Sequence, residues 1–542
     1  MIDELPPEDS FDAYARNTAV MTVGTSLSRL TGFLRIAAQA AALGVTATTL
    51  ADTYNRANNT PNILYELALG GILTSVFVPL FVEWKQRHGT DASWALADRI
   101  LTVTLVGLSG LAVLGAVFAP WIIRLYGVTP GTADPQAQLA LGTYLLRWFM
   151  PQVVFYGIGA VAGGLLNANR RFVAPSFAPI LNNVTVILAF GTYAWLLHGA
   201  APSVSAITGA EKAVLAVGTT LGVVAMTVAL WPSLRRLGYR WHFVLDLRHE
   251  ALRRLVRLSG WVVVYVVANQ IAFLIIIRLA GQVSQGVFSA YYFAFILVSL
   301  PHAIFVVSIF TALLPGMAAQ WSAGSAEGLT ALFSRGVRDT SVVIVPAALG
   351  LVAIALPLAR LIFDHLNATA ADAELIGRLL QLFALSLPFF SIFQLLTRTY
   401  YSMQDTRTPG LVNLGAAAVN VGADLFFTRV VHWGAEGLVV GYGLSYVVGV
   451  VALTAILRGR LGRLDGRRIG RTLLRTLPAA LGAAGAAWLL TRLWRPTGAL
   501  GEVAIVLLSV FVGVLAFGIL ALIFRIEEVD EVKGLVARRL RG

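Results

Sequence analysis

Two apolar stretches near the start of the chain decide its fold: SLSRLTGFLRIAAQAAALG at residues 26–44 and ADTYNRANNTPNILYELALGGILTSVFVP at residues 51–79. Their charged residues are Arg29, Arg35, Asp52, Arg56 and Glu66. A charge at the centre of a bilayer costs roughly 2.5–3.5 kcal/mol on insertion scales, so that charged side chains within a span face protein or water. The two stretches therefore predict a pair of membrane helices that line a polar cavity.

The composition of the whole chain indicates a membrane protein. Only 13% of its 542 residues are charged and 57% are hydrophobic, whereas soluble proteins carry about 25% charged residues. At roughly 35 residues for each span and its loop, this length accommodates about fourteen helices. The chain has no cysteine, which excludes disulfides, a thiolate nucleophile and a cysteine-ligated metal.

Apolar segments can be placed at 18–44, 50–83, 97–123, 137–165, 173–197, 212–232, 255–280, 286–315, 339–364, 376–401, 408–430, 435–457, 472–493 and 501–525. Arginine-rich loops such as 167–171 and 457–471 follow even-numbered segments, and loops of this kind stay cytoplasmic. Both termini are therefore predicted to be cytoplasmic. The net charge of +13 is then explained by topology, and nucleic acid is not an expected partner.

The two halves of the chain resemble each other. Pro120 and Pro151 have counterparts in Pro357 and Pro388, at an offset of about 235 residues that indicates internal duplication. Six spans separate the copies, so that the repeat is parallel. The sequence thus predicts an all-α polytopic membrane protein with about 14 transmembrane helices, in which two pseudo-symmetric six-helix lobes are followed by two extra C-terminal helices. Transporters built from repeats bind their substrate near the midplane, between the lobes.

The predicted boundaries are 1–15 for a cytoplasmic N-terminal segment, 16–235 for the first lobe, 236–254 for a basic cytoplasmic linker, 255–458 for the second lobe, 459–471 for a basic cytoplasmic loop, 472–525 for the two added helices and 526–542 for a cytoplasmic tail. The start of the chain is acidic and polar, unlike a cleaved signal peptide. The first helix is therefore expected to stay in the mature protein.

Several motifs together resemble the MurJ/MviN family of the MOP flippase superfamily: SRLTGFLR at 28–35, ADTYNRANNTPN at 51–62, FVP at 77–79, LLNANRRFVAPSFAPILNN at 165–183 and YYSMQDTRTP at 400–409. The resemblance covers nearly the whole chain. It implies a flippase that moves lipid II, the undecaprenyl-diphosphate-linked precursor of peptidoglycan, from the inner to the outer leaflet of the bacterial inner membrane. It also implies a groove for the lipid tail at 472–525, for which the alternative is a dimerisation surface or simple packing against the second lobe. Membrane lipids and the cell-wall synthesis machinery are the implied partners.

The same resemblance assigns site residues by position. Arg29 and Arg35 stand at the two first-helix arginines that the family needs in its cavity, and Asp52 matches an acidic residue at the start of its second helix.

This chain also departs from the family pattern. That pattern has arginine where Tyr65 and Phe295 stand, and an acidic residue where Ile36 and Gly70 stand. The departures imply either that the binding chemistry is redistributed or that the chain belongs to a divergent branch.

The residues themselves favour an anionic substrate. Arg29 and Arg35 are six positions apart, which gives a rise of about 9 Å and an angle of roughly 120° along a helix. Guanidinium groups suit the oxygens of a diphosphate. In the alternative, Arg29 pairs with Glu66 and Arg35 extends to the membrane interface.

The other candidate site residues have two explanations each. Asp52 and Arg56 form a helix-face ion pair at their i,i+4 spacing or an orienting pair at the outer mouth. Asn59 and Asn62 line the cavity or bond neighbouring helices. Glu66 titrates or forms a salt bridge, and Arg147 and Arg398 contact substrate or pair structurally.

No enzymatic, metal-binding or nucleotide-binding motif occurs in the sequence. The seven histidines are scattered, and neither HExxH nor a P-loop is present. No enzyme activity and no cofactor are predicted, and the identity of a coupling ion is left open. The rival functions are a flippase for another polyprenyl-diphosphate glycan, a cation-coupled exporter of the MATE type and a non-transporting scaffold in cell-wall assembly.

Overall fold

The computed structural model describes residues 11–69, 78–129, 132, 134–169, 171–250, 253, 260–494 and 498–529. Within these ranges the chain is almost entirely helical and contains no β-strand. The chain divides into two compact units, Met1–Gln270 and Ile271–Gly542. The predicted lobe boundaries stay predictions.

The first unit contains the helices α1 (Phe11–Leu43), α2 (Leu50–Leu69), α3 (Val78–Val117), α4 (Ala119–Tyr126), α5 (Pro135–Phe149), α6 (Gln152–Ala168), α7 (Val173–Leu196), α8 (Gly209–Val228) and α9 (Trp231–Arg236). Local sequence explains where these helices begin and break. Gly89 interrupts α3 at a φ of 82°, a conformation that favours glycine. The Asp134 side chain accepts a bond from the Ala137 amide at the start of α5, and Thr208 and Glu211 form a capping box for α8.

The second unit begins within α10 (Gly260–Val283). It continues with α11 (Val287–Pro301), a π-helical turn (His302–Val306), α12 (Val307–Ser322), α13 (Ala326–Phe363), α14 (Ala370–Ser402), α15 (Arg407–Arg429), α16 (Ala435–Leu461), α17 (Gly466–Leu493) and α18 (Ala499–Ile523). The ring of His302 bonds the Ser391 hydroxyl across 3.0 Å. The π-helical turn is therefore fastened to α14.

Twelve helices of the described residues are long and apolar enough to cross a membrane. They correspond to the third to fourteenth predicted segments. Neither α1 nor α2 is among the twelve, and α2 carries Asp52, Arg56 and Glu66 within twenty residues. The predicted all-α polytopic fold is confirmed, and a count of about fourteen spans agrees with these twelve helices together with α1 and α2.

The first unit holds α1 against α7 through a close approach. A Cβ atom at Gly24 would lie 2.8 Å from Cε2 of Phe177, so that a larger residue does not fit there. One helical turn further along, the Asn183 side chain donates to the Ser28 carbonyl at 3.1 Å and to the Thr31 hydroxyl at 3.0 Å. Asn183 therefore bonds α7 to α1.

The chain that follows α9 lies on α3. The Tyr239 hydroxyl donates to Asp98 at 2.7 Å, and the Val244 amide donates to the Thr102 hydroxyl at 3.1 Å. The Trp241 indole also donates to Thr102, at 3.3 Å. Residues 238–248 of the predicted basic linker are therefore docked on a helix of the first unit.

Candidate cationic site

Arg29 and Arg35 both lie on α1, Arg29 within the contact of this helix with α7 and Arg35 one turn beyond Thr31. The backbone beside Arg29 is fixed by the bonds from Asn183 to Ser28 and Thr31. The Arg29 side chain is exposed and that of Arg35 is half-buried. One helix thus carries both guanidinium groups.

Arg29 and Arg35 have no counter-ion among the residues that the structure describes. Within the part of the chain that the structure describes, no ion pair or hydrogen bond involves the side chain of Arg29 or Arg35. Glu66, the alternative partner of Arg29, is half-buried and has no ion pair in the same ranges. Two positive charges on one membrane helix are therefore available to an anionic ligand.

Asp52 and Arg56 form a buried ion pair on α2. Their side chains are 3.6 Å apart and only 0% and 4% exposed, respectively. Arg56 also donates to the Gly127 carbonyl at 3.1 Å and to the Thr129 hydroxyl at 3.3 Å. The i,i+4 ion pair is confirmed. The hydrogen bonds from Arg56 to Gly127 and Thr129 connect α2 to the loop that follows α4.

The amide-rich segment of α2 stays helical through Pro61. Asn59 donates to the Asn55 carbonyl at 2.9 Å, and Asn62 donates to the Asn58 carbonyl at 3.3 Å. These side chains bond backbone carbonyls of their own helix. A role for Asn59 and Asn62 in substrate binding stays a prediction.

Aromatic residues occupy the two positions at which the family pattern has arginine. In the first unit, the centres of the Tyr65 and Tyr156 rings are 5.8 Å apart. In the second unit, the centre of the Phe295 ring is 5.8 Å from the ring centres of both Phe383 and Tyr442. Ring contacts therefore replace cationic groups at both positions.

Of the two other positions that depart from the family pattern, Ile36 and Gly70, the structure describes only Ile36. Ile36 is only 2% exposed, so that a carboxylate in its place would be buried. Gly70 lies outside the described residues.

Arg147 and Arg398 lie on other helices. Arg147 is exposed on α5, and its Nε donates to the Ala116 carbonyl at 3.4 Å. It lines a cavity whose described lining residues all come from α4 and α5. Arg398 is exposed on α14, with its guanidinium carbon 5.9 Å from the centre of the Tyr401 ring. Their roles in substrate binding stay predictions.

Several polar contacts near the candidate site were not predicted. Gln39 on α1 donates to the Asn55 side chain on α2 at 2.7 Å, and the Tyr54 and Thr219 hydroxyls are 2.7 Å apart. Each pair joins residues that are distant in sequence. The signal that could have found them is the presence of buried polar residues in apolar helices.

A family model described as Lipid II flippase MurJ matches residues 39–509. The chain belongs to the MurJ family. The matched range begins after Arg29 and Arg35, so that the role of these two arginines stays a prediction.

Curated MurJ relatives match most of the chain. The Lipid II flippase MurJ of Burkholderia cenocepacia is 28% identical over 448 residues, covering 82% of this chain and 84% of that protein. The probable lipid II flippase MurJ of Thermotoga maritima is 26% identical over 523 residues, covering 95% and 98%. This chain thus spans nearly the full length of its relatives.

Solved structures show the same fold. A lipid II flippase MurJ in an inward closed conformation has a TM-score of 0.72 at 20% identity, covering 94% of this chain and 99% of that one. An inward-facing MATE family transporter of the MOP superfamily has a TM-score of 0.63 at 14% identity, covering 81% and 96%. The MurJ fold is confirmed, and the MATE transporter has a similar fold.

Proposed function

We propose that this protein translocates lipid II from the inner to the outer leaflet of the bacterial inner membrane and so supports peptidoglycan synthesis. The observation that carries this proposal is that Arg29 and Arg35, on α1 of a MurJ-family fold, have no ion pair with any described residue. Lipid II carries a diphosphate between its polyprenyl chain and its glycan. Two cations on one helix match the charge of that group.

The chemistry of the two arginines suits transport rather than catalysis. A guanidinium group donates two parallel bonds to phosphate oxygens, and these bonds strengthen where water is excluded. Binding needs no covalent step. In the proposed cycle, Arg29 and Arg35 take the diphosphate from the inner leaflet, and a change of access releases it to the outer leaflet.

The first experiment is depletion of the protein in its host, followed by quantification of lipid II at the outer leaflet. We expect outer lipid II to fall and to be restored by the wild type but not by Arg35→Ala. Arg35→Lys should restore it in part, because lysine keeps the charge but loses the bidentate geometry. Unchanged outer lipid II after depletion would contradict the assignment of lipid II as substrate.

The matched control is Arg240→Ala, which removes an exposed arginine of the docked linker. It should complement like the wild type. Immunoblots of the membrane fraction and gel filtration in detergent must show equal amounts of folded Arg35→Ala protein. A folded Arg35→Ala variant with normal flipping would remove Arg35 from the site.

A second candidate is a flippase for another polyprenyl-diphosphate glycan. It is favoured by Tyr65 and Phe295, because aromatic ring contacts occupy two positions that are arginine in the family pattern. Purified protein should then bind the other lipid-linked glycan more tightly than lipid II. Tyr65→Arg should shift this preference towards lipid II, and equal preference in both proteins would contradict the second candidate.

The rival MATE-type function has a simple test. Exporters of cations need carboxylates at their binding site, whereas this site presents two arginines. Expression of the protein should therefore leave the accumulation of a cationic dye unchanged.

We also propose that both termini are cytoplasmic and that cell-wall synthesis enzymes are partners. Reporter fusions at each terminus test the orientation. Copurification from cross-linked membranes tests the partners.

A further inference from the structure

An open cavity of about 560 Å³ lies between α4 and α5 in the first unit. This volume falls within the range of small-molecule sites. The cavity is near the end of α3 at Val117, whereas the basic segment WKQRHG at 84–89 lies at the start of the same helix. The cavity and this basic segment therefore lie at opposite ends of α3.

The cavity is positively charged. Arg124 and Arg147 line it, and no acidic residue is among its described lining residues. The Arg124 side chain has no ion pair or hydrogen bond within the described ranges. Among the described residues, Arg147 donates only from Nε, to the Ala116 carbonyl, so that its two terminal nitrogens have no partner there. Thr143 and Tyr144, which each carry a hydroxyl, line the same cavity.

The rim of the cavity is apolar and aromatic. Trp121 is 70% exposed and Trp148 is 46% exposed, while Phe118 and Leu125 are exposed beside them. Tryptophan is enriched where a protein meets the lipid head groups. The rim thus fits the region in which phosphates lie above acyl chains.

We propose that Arg124 and Arg147 bind the phosphate of an anionic phospholipid, whose acyl chains run along the tryptophan-bearing rim. A free phosphate offers the same oxygens, but it leaves the apolar rim uncovered. A zwitterionic lipid brings a cation towards two arginines. The site therefore selects a lipid with a net negative head group.

The experiment is native mass spectrometry of the full-length protein in detergent with phosphatidylglycerol, phosphatidylcholine or inorganic phosphate. We expect one tightly bound phosphatidylglycerol, and a loss of affinity of about tenfold or more in Arg124→Gln/Arg147→Gln, because each lost bond to a charged group is worth about tenfold. Phosphatidylcholine should bind the wild type and this variant equally. Inorganic phosphate should give no stable adduct.

The matched control is Arg235→Gln/Arg236→Gln, which removes two exposed arginines from α9. It should keep the affinity of the wild type for phosphatidylglycerol. An equal loss in this control would show non-specific attraction and overturn the site, as would wild-type affinity in Arg124→Gln/Arg147→Gln. Phosphate binding as tight as that of the lipid would overturn the choice of a lipid. Equal unfolding temperatures establish that the variants are folded.

Discussion

The Tyr239 hydroxyl donates a hydrogen bond of 2.7 Å to the Asp98 carboxylate, and both groups are buried. Burial, together with this bond to a carboxylate, raises the pKa of Tyr239 far above its ordinary value. The hydroxyl therefore stays protonated and donates at every pH at which the protein is studied. The bond fastens the chain that leaves α9 to the side of α3.

Removal of this bond should loosen the docked linker. Tyr239→Phe leaves Asp98 with one donor fewer, and a bond to a charged group is worth about 1.5–3 kcal/mol. Trypsin should then cut after Arg240 or Arg248 about tenfold faster or more. Tyr401→Phe is the control, because the Tyr401 hydroxyl has no hydrogen bond within the described ranges. Cleavage of Tyr239→Phe at the wild-type rate would assign the docking to the Thr102 contacts instead.

Asp405 should give a pH-dependent contribution to stability. Burial raises its pKa, but bonds from Thr408 and Arg460 outweigh burial and hold the pKa below its ordinary value. A lowered pKa stabilises the fold above the ordinary value of about 4, and this stabilisation is lost as the pH falls through the folded-state pKa. We expect Asp405→Asn to be less stable than the wild type by roughly 1 kcal/mol at pH 6.

The measurement is the difference in unfolding temperature between Asp405→Asn and the wild type from pH 7 to pH 3. The difference should shrink below about pH 4. A difference that stays constant over this range would show that the Asp405 charge does not contribute.

The buried pair of Asp52 and Arg56 should behave differently from an exposed pair with the same spacing. Removal of one partner of a buried pair costs about 3–5 kcal/mol, so that Arg56→Gln should unfold at a markedly lower temperature. The Glu83–Arg87 pair has the same spacing, but the Arg87 side chain is 69% exposed, and Arg87→Gln should cost less than about 1 kcal/mol.

A double variant separates the pair from its surroundings. Asp52→Asn/Arg56→Gln should be no less stable than Arg56→Gln alone, because neither buried charge is then left unpaired. Additive losses would show that the two charges are not coupled.

Gly24 should tolerate no side chain. Gly24→Ala brings Cβ within 2.8 Å of Phe177 and Ser176, and overpacking costs about 1–3 kcal/mol. Gly107→Ala is the control, because nothing lies within 4 Å of the added Cβ, and it should stabilise α3 by up to about 1 kcal/mol. Equal unfolding temperatures of the two variants would contradict the close approach of α1 and α7.

The membrane helices could be predicted closely because apolar length alone marks a span. The predicted segment 173–197 is the helix Val173–Leu196 in the structure, and the predicted segment 435–457 lies within the helix Ala435–Leu461. The break at Gly89 falls in a stretch that was predicted to be a loop. Its position depends on a φ that a glycine permits but does not require.

The sequence proposed candidate site residues but could not give their pairing. Charges in apolar helices made Arg29 and Arg35 candidates, and i,i+4 spacing predicted the ion pair of Asp52 and Arg56. That no described carboxylate pairs with Arg29 is a property of the folded chain. The contact of Gln39 with Asn55 likewise joins two helices, and no local pattern encodes it.

The π-helical turn at His302–Val306 sets the directions of the side chains that follow it. A π-helical turn accommodates an additional residue, which rotates all later side chains by about 100° relative to an uninterrupted α-helix. The side chains of α12 therefore lie on faces displaced by one position from those that a continuous α-helix from α11 would give them. Cysteine accessibility along α12 should follow this displaced register.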